Sequence, residues 1–134
     1  MKVLLVEDRK ADIRLIEEAM QELQQPCELI AVQHGHDALA YLRQCDTSKL
    51  PRLILLDLNL PSMPGSEVLA EIKKHPQWRY VPVVMLSTSA AQKDIDHCYS
   101  LQADGYLVKP FGFEQLVAML DGTLGYWSRT VGLS

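Results

Sequence analysis

The chain has 134 residues, a length that accommodates one domain with its own hydrophobic core and excludes a second domain of ordinary size. Its composition, 48% hydrophobic and 22% charged, is that of a globular protein, and its net charge of -4 disfavours nucleic acid as a partner. The three cysteines form no Cys-x-x-Cys pair and no apolar stretch approaches the ~18 residues of a membrane span, so we expect a cytoplasmic protein with free thiols and no membrane contact.

Five short apolar runs, each followed by a segment with helical spacing, predict strand and helix units around a parallel sheet. The predicted strands are 2–6, 28–33, 52–57, 82–87 and 104–108, and the predicted helices are 11–24, 36–44, 65–74, 91–102 and 113–127. The run LILL at 53–56 is apolar without alternation, as in a strand covered on both faces. The right-handed crossover rule favours a doubly wound α/β arrangement and leaves the strand order open. We predict one domain over residues 1–127 and a short C-terminal tail over 128–134.

Polar side chains follow four of the predicted strands at their carboxyl ends, where open α/β sheets bind ligands. Glu7 and Asp8 follow the first strand, Asp57 ends the third, Ser87 ends the fourth, and Lys109 follows the fifth. If the first and third strands are neighbours, three carboxylates converge and disfavour one another's ionisation. A bound cation removes that conflict, and oxygen ligands alone suit Mg²⁺. The pattern therefore indicates a magnesium site at this end of the sheet.

Each of these residues has a simpler explanation when it is taken alone. Acidic residues at strand ends often cap the next helix, which would account for Glu7 or Asp8. Asp57 fits that explanation less well, because it closes an apolar run and would be partly desolvated. A lysine at position 109 would pair with Asp57 at rest and with a phosphoryl oxygen once Asp57 is modified.

Four motifs resemble those of the response-regulator receiver family, in the same order and at the proper spacing. LLVED resembles the acidic pair after the first strand, LILLDLNLPSMPG the phosphoacceptor segment, VVMLSTSA the hydroxyl switch, and GYLVKPF the lysine after the fifth strand. Together they cover essentially the whole chain. The resemblance implies a flavodoxin-like fold with a five-stranded parallel sheet of order 2-1-3-4-5.

The resemblance also implies roles for the polar residues. Asp57 would accept a phosphoryl group from a sensor histidine kinase. Asp8 and Asp57 would bind Mg²⁺ or Mn²⁺ together with the main-chain carbonyl of Asn59, and Glu7 would act through water. Lys109 would bind the phosphoryl group. On this basis the protein is a signal acceptor that assists its own phosphorylation and dephosphorylation, rather than an enzyme with many turnovers.

The resemblance further implies a conformational switch. Ser87 stands where threonine is commoner, which keeps the hydroxyl group and loses a methyl group that stiffens χ1. Tyr106 matches an aromatic residue that changes rotamer on activation in the family, although a half-buried strand tyrosine needs no such role. Gly65 would supply a flexible turn after the phosphoacceptor segment.

A narrower resemblance connects the chain to stand-alone receivers paired with bacterial phytochrome kinases. DLNLP followed by EVLAEIK, the STS after the fourth strand and the C-terminal YWSRTVGLS are similar to segments of those proteins. It implies a phytochrome as the partner kinase. Because we expect no effector domain after residue 127, output would pass to another protein or to a homodimer through the fourth helix, fifth strand and fifth helix. Tyr126 and Trp127 suit such an interface, but packing on the chain's own sheet would also explain them.

Two other functions use related features. A haloacid-dehalogenase-type phosphatase also attacks phosphate with an aspartate at a strand end. That class has the motif Asp-x-Asp, in which the second carboxylate supplies a proton, whereas Asn59 at the corresponding position of this chain cannot. A flavodoxin-like flavin-binding module needs a loop of backbone donors after the first strand, where Glu7 and Asp8 would repel the flavin phosphate. Both therefore fit the sequence less well than a receiver does.

Overall fold

A computed structural model describes residues 1–132 of the chain and the side chains of residues 1–129. Five strands form one parallel sheet in the order β2-β1-β3-β4-β5, which confirms the predicted fold and strand order. The strands are β1 (Lys2–Val6), β2 (Glu28–Val32), β3 (Leu53–Asp57), β4 (Val83–Ser87) and β5 (Gly105–Val108). The helices are α1 (Lys10–Gln21), α2 (Gly35–Gln44), α3 (Gly65–Lys74), α4 (Gln92–Ser100) and α5 (Phe113–Gly132), with short 3₁₀ turns at Thr47–Lys49 and Trp78–Tyr80.

The boundaries differ from the predicted ones by a few residues, for local reasons. β4 begins at Val83 rather than at residue 82, since Pro82 has no N–H to donate to a neighbouring strand. α4 ends at Ser100 rather than at residue 102, because Gln102 has a left-handed backbone with φ of 73°. α5 continues to Gly132 rather than ending at residue 127. Trp127 packs against the core at the predicted end, and the helix continues past it although serine, threonine and valine have low helix propensity.

Successive side chains of the central strands divide the core into two halves, as the two-residue period of a strand requires. In β3, Ile54 and Leu56 face α2 and α3, whereas Leu53 and Leu55 face α1 and α5. Every residue of β3 is buried, which agrees with its unbroken apolar run. The edge strands β2 and β5 are only partly covered.

The predicted apolar stripe of α1 packs on this sheet. Ile13, Ile16 and Met20 belong to the core half between the sheet, α1 and α5. Leu23 packs there too, although it lies beyond the end of α1 at Gln21 rather than inside the predicted helix. None of the helices within residues 1–132 is long and apolar enough to cross a membrane.

Candidate metal centre

Carboxylates from two adjacent strands meet at the carboxyl end of the sheet. Asp57 is the last residue of β3, Glu7 and Asp8 directly follow β1, and the two strands run parallel with Val6 opposite Leu56. One carboxylate oxygen from each of the three acidic residues lies within 4.8 Å of the other two. Glu7 and Asp57 are buried, and Asp8 is half-buried. The three carboxylates therefore converge as the strand ends predict.

Lys109 brings a positive charge into the same crevice. It follows β5, and its backbone N–H donates to the carbonyl of Ser87 at 2.7 Å. Its Nζ lies 2.5 Å from Oε1 of Glu7 and 3.7 Å from Oδ2 of Asp57. The sequence predicts Asp57 as the partner of this lysine at rest. Asp57 is within ion-pair distance, which agrees with that prediction, and the ammonium also donates a closer hydrogen bond to Glu7, which the sequence does not predict.

Burial makes the ionisation of Glu7 costly. Burial of its carboxyl group, reinforced by the negative charge of Asp57 and only partly opposed by the hydrogen bond from Lys109, raises the pKa of Glu7 from 4.5 to about 7. Burial lowers the pKa of Lys109, but the hydrogen bond to Glu7 and the charges of Asp57 and Asp12 outweigh it, so that this pKa is raised. Without a cation, Glu7 is therefore partly protonated near neutral pH, whereas Lys109 keeps its charge.

The donor set fits a small divalent cation. Glu7, Asp8 and Asp57 offer carboxylate oxygens, the hard ligands that Mg²⁺ and Mn²⁺ accept. A cation among them would offset their mutual repulsion and the cost of ionising a buried carboxyl group. The backbone nearby is held in place, because the side-chain amide of Gln33 donates to the carbonyl of Asp8 at 3.2 Å.

The raised pKa of Glu7 leads to a prediction about cation binding and pH. A carboxyl group with a folded pKa of about 7, above its usual 4.5, stabilises the cation-free fold most at low pH, and this contribution is lost as pH rises through 7. Since a cation favours the ionised carboxylate, we expect Mg²⁺ to raise the melting temperature more at pH 8 than at pH 6. Thermal denaturation at both pH values measures this difference. Glu7→Gln should remove most of it, and an equal Mg²⁺ effect at both pH values would contradict the assignment.

The loop after Asp57 is tight enough to require glycine at position 65. The N–H of Asn59 donates to Oδ1 of Asp57 at 3.2 Å, and the N–H of Gly65 donates to the carbonyl of Leu58 at 2.9 Å. A Cβ on Gly65 would lie only 2.1 Å from the carbonyl oxygen of Asp57. The sequence predicts glycine here for a flexible turn. Its φ is not positive, and close packing against Asp57 is the actual reason.

We therefore expect Gly65→Ala to destabilise the protein by about 1–3 kcal/mol, since the added methyl group must displace the backbone of Asp57. Binding of Mg²⁺ should weaken in the same variant because that backbone carries a ligand. Urea denaturation and calorimetric titration measure the two effects. Gly122→Ala is the matched control: its Cβ would have no neighbour within 4 Å, so alanine in this exposed helical position should be neutral or stabilising by up to about 1 kcal/mol. Equal effects of the two substitutions would contradict the packing argument.

The predicted switch residues Ser87 and Tyr106 both contact the loop after β4. Ser87 is fully buried, and its Oγ accepts a hydrogen bond from the N–H of Ser89 at 3.0 Å. Tyr106, on β5, is half-buried and donates its hydroxyl group to the carbonyl of Ser89 at 2.9 Å. Both predicted residues therefore hold the loop between β4 and α4, through one serine.

A family model of the response regulator receiver domain matches residues 3–121. The chain belongs to the response-regulator receiver family. It is similar to response regulator Rcp1 of Synechocystis sp., with 43% identity over 134 residues that cover 98% of this chain and 91% of that protein. Among solved structures it is similar to the phosphorylated cyanobacterial phytochrome response regulator RcpA, with a TM-score of 0.87 and 47% identity over 96% of this chain and 94% of that one. Mn²⁺-bound Rcp1 is also similar, with a TM-score of 0.82 and 42% identity over 94% and 93%.

Membership of the receiver family confirms the resemblance drawn from the four motifs, and neither the phosphatase nor the flavin-binding alternative is supported. The narrower resemblance to phytochrome-linked receivers is confirmed as well. Besides RcpA, the bacteriophytochrome response regulator RtBRR has a similar structure, with a TM-score of 0.75 and 38% identity over 90% of this chain and 76% of that one.

Three polar residues of the receiver are not predicted by the sequence patterns. Asp12, in the first turn of α1, lies 3.4 Å from Nζ of Lys109. The Oγ of Ser89 donates to Oδ2 of Asp94 at 2.5 Å and accepts from the N–H of Ala91 at 3.2 Å. Sequence signals for these residues exist. Asp12 is an acidic residue in the first helical turn after the acidic pair. Ser89 precedes α4, whose first turn contains Asp94, an arrangement like a displaced capping box.

Proposed function

We propose that this receiver accepts a phosphoryl group on Asp57 from a phosphohistidine of a sensor histidine kinase. A carboxylate oxygen of Asp57 attacks the phosphorus atom, the bond from phosphorus to the imidazole nitrogen breaks, and an acyl phosphate forms while the nitrogen keeps the electron pair. The position of Asp57 carries this proposal. Asp57 ends a fully buried central strand at the carboxyl end of the sheet, beside two further carboxylates and one lysine.

Each neighbour of Asp57 has a part in this proposal. Asp8 and Asp57, with the main-chain carbonyl of Asn59, would hold Mg²⁺ or Mn²⁺, and Glu7 would act through a bound water. When bound, the cation offsets the negative charge of the phosphoryl oxygens. Lys109 would bind one of those oxygens, from a position 3.7 Å from Asp57. The oxygen-only donor set supports this assignment, as does the similarity to the Mn²⁺-bound relative.

Phosphorylation would then switch the conformation of the receiver rather than serve as one step of a repeated catalytic cycle. An oxygen of the phosphoryl group offers Ser87 and Lys109 a new partner, which shifts an existing equilibrium between two conformations of the loop after β4. Tyr106 would follow this change, because its hydroxyl group bonds the carbonyl of Ser89 in that loop. By offsetting the charge of the phosphoryl oxygens, the cation and Lys109 would let the receiver assist its own phosphorylation and dephosphorylation.

The direct test is labelling by a small phosphodonor such as acetyl phosphate. We expect mass spectrometry to find one phosphoryl group, on Asp57, when Mg²⁺ or Mn²⁺ is present, and none after the cation is removed with EDTA. Labelling that is equally strong without a cation would overturn the proposed function.

We propose a phytochrome as the partner kinase, since Rcp1 and RcpA are similar to this chain over nearly its whole length and RcpA is a phytochrome response regulator. We also propose that the reaction takes place in the cytoplasm, which fits three cysteines that are all free: Cys27, Cys45 and Cys98. A phosphotransfer screen with purified histidine kinases tests the choice of partner.

Output would pass through a homodimer of the receiver unit, residues 1–127, formed by α4, β5 and α5. Tyr99 of α4, Val108 of β5 and Tyr126 of α5 are apolar or aromatic and exposed. Trp127 packs partly against the chain's own core, so Tyr126, which meets it edge-on at 4.9 Å, is the better interface candidate.

Sedimentation with and without beryllofluoride, a phosphate mimic, tests this dimer. We expect beryllofluoride to strengthen self-association of the wild type and Tyr126→Ala to prevent that gain while leaving the melting temperature nearly unchanged. Trp127→Ala should lower the melting temperature, because its ring covers the core. A wild type that stays monomeric at tens of micromolar in both states would exclude the dimer.

A further inference from the structure

Three carboxylates surround the ammonium group of Lys109. Its Nζ lies 2.5 Å from Glu7, 3.4 Å from Asp12 and 3.7 Å from Asp57. Glu7 and Asp57 belong with Asp8 to the cluster that could hold a cation, whereas Asp12 lies outside that cluster. Asp12 is therefore the one carboxylate among these three whose charge a cation in the cluster would leave free for the lysine.

The fold fixes Asp12 on its side of the lysine. Asp12 is the third residue of α1, and negative charge is favoured in the first turn of a helix. Ile13 and Ile16 pack the same helix against the sheet. The other cation near Asp12 is Arg9, whose Nε is 3.9 Å away and whose side chain is 70% exposed, so that it competes only weakly with the 14% exposed Lys109.

A small cavity borders the contact between Asp12 and Lys109. It measures about 50 Å³ and lies between α1, the end of β4 and the start of α5. Ile16, Leu86 and Leu116 form part of its apolar wall, and Asp12 and Lys109 are its charged residues. Of the residues that line this cavity, Asp12 alone offers the ammonium an anionic partner.

Occupation of the acidic cluster changes the surroundings of Lys109. A divalent cation there would partly neutralise Glu7 and Asp57 and would repel the ammonium group of Lys109. Both effects would drive the lysine away from Asp57. The carboxylate of Asp12, 3.4 Å from Nζ and outside the cluster, keeps an anionic partner for the ammonium within the crevice and so limits this movement. We propose that Asp12 is a positioning residue for Lys109, holding the ammonium beside Asp57 while a cation occupies the cluster, so that the lysine is ready to bind the phosphoryl group. This inference rests on the proposed function.

The test compares the binding of Mg²⁺ alone with the binding of beryllofluoride at saturating Mg²⁺, in the full chain. For Asp12→Asn we expect beryllofluoride to bind about fivefold or more weakly, because the lysine is no longer pre-organised, while Mg²⁺ affinity changes by less than about twofold. Asp12→Glu should recover most of the affinity. Glu18→Gln removes the same charge from an exposed position of α1 and should change neither value.

A double-mutant cycle separates positioning from a general charge effect. In a Lys109→Ala background, Asp12→Asn should alter beryllofluoride binding by less than about twofold, because the residue it positions is gone. An equal loss in both backgrounds overturns the inference, and so does unchanged or tighter binding by Asp12→Asn alone. If the wild type fails to bind beryllofluoride at all, the proposed function fails instead of the role of Asp12.

Discussion

Asp57→Asn is expected to abolish covalent phosphorylation completely. An amide nitrogen is a poor nucleophile because its lone pair is delocalised, so the variant cannot form the acyl phosphate. It also removes one anionic ligand from the acidic cluster, which should weaken Mg²⁺ binding while relieving the repulsion on Glu7. The melting temperature without a cation should therefore be unchanged or higher. Intact-mass spectrometry after treatment with acetyl phosphate and Mg²⁺ measures the first effect, and thermal denaturation without Mg²⁺ measures the second.

The matched control is Asp121→Asn, at an exposed position of α5 far along the chain from the acidic cluster. It carries the same chemical change and should be phosphorylated like the wild type. The hydroxyl groups of Ser87 and Thr88 lie in the segment that ends β4 and are alternative acceptors. Acid-stable phosphate on either of them, at wild-type level in Asp57→Asn, would show that the nucleophile is wrongly assigned.

The second expected result separates phosphorylation from response. Lys109→Ala and Ser87→Ala should each still be labelled on Asp57, because neither side chain attacks phosphorus, but the conformational response to phosphorylation should be lost. Hydrogen exchange across the loop after β4 and across α4 measures that response. We expect beryllofluoride to slow exchange there in the wild type and to have little effect in either variant.

These two variants should also differ in stability. Ser87→Ala leaves the N–H of Ser89 without its acceptor, which costs about 1–3 kcal/mol when the site is buried. Lys109→Ala removes the partner of a buried carboxylate and should be more costly at neutral pH, up to about 3–5 kcal/mol, with part of it recovered by protonation of Glu7 or by Mg²⁺. Thr88→Ala is the control, since Thr88 is exposed and should change stability by less than about 0.5 kcal/mol. If either variant keeps the full conformational response, the residue replaced in it is not a switch residue.

Much of this site follows from the sequence because it depends on strand ends. The apolar runs locate β1 and β3 within a residue, and the adjacency of these strands is sufficient to bring Glu7, Asp8 and Asp57 together. The residue pattern alone does not supply that adjacency, because the crossover rule allows several strand orders. The family resemblance supplies it.

The hydrogen bond from Lys109 to Glu7, unlike its ion pair with Asp57, cannot be predicted in the same way. Strand ends and register determine which backbones are neighbours, whereas the choice between Glu7 and Asp57 depends on rotamers and on differences of about an ångström. Asp12 escapes prediction for a related reason: its contact joins the first turn of α1 to the residue after β5, and no sequence period relates the two. The end of α5 is predicted too early because Ser128, Thr130 and Val131 have low helix propensity, which the sequence alone cannot weigh against packing.

The division of the core into two halves bears on how the proposed phosphorylation of Asp57 would be read. Val83 and Met85 of β4 and Tyr106 of β5 belong to the half that contains α2, α3 and the buried Cys98 of α4. Ser87 continues the same alternation, so the sheet stands between this pair and the α1 side, where Asp12 meets Lys109. The sheet thus separates a partner bound against α1 from one bound against α4, and only a surface that passes round the β5 edge, like the proposed dimer surface of α4, β5 and α5, joins the two halves. Specificity for the two could then change independently in evolution, each through substitutions on its own surface.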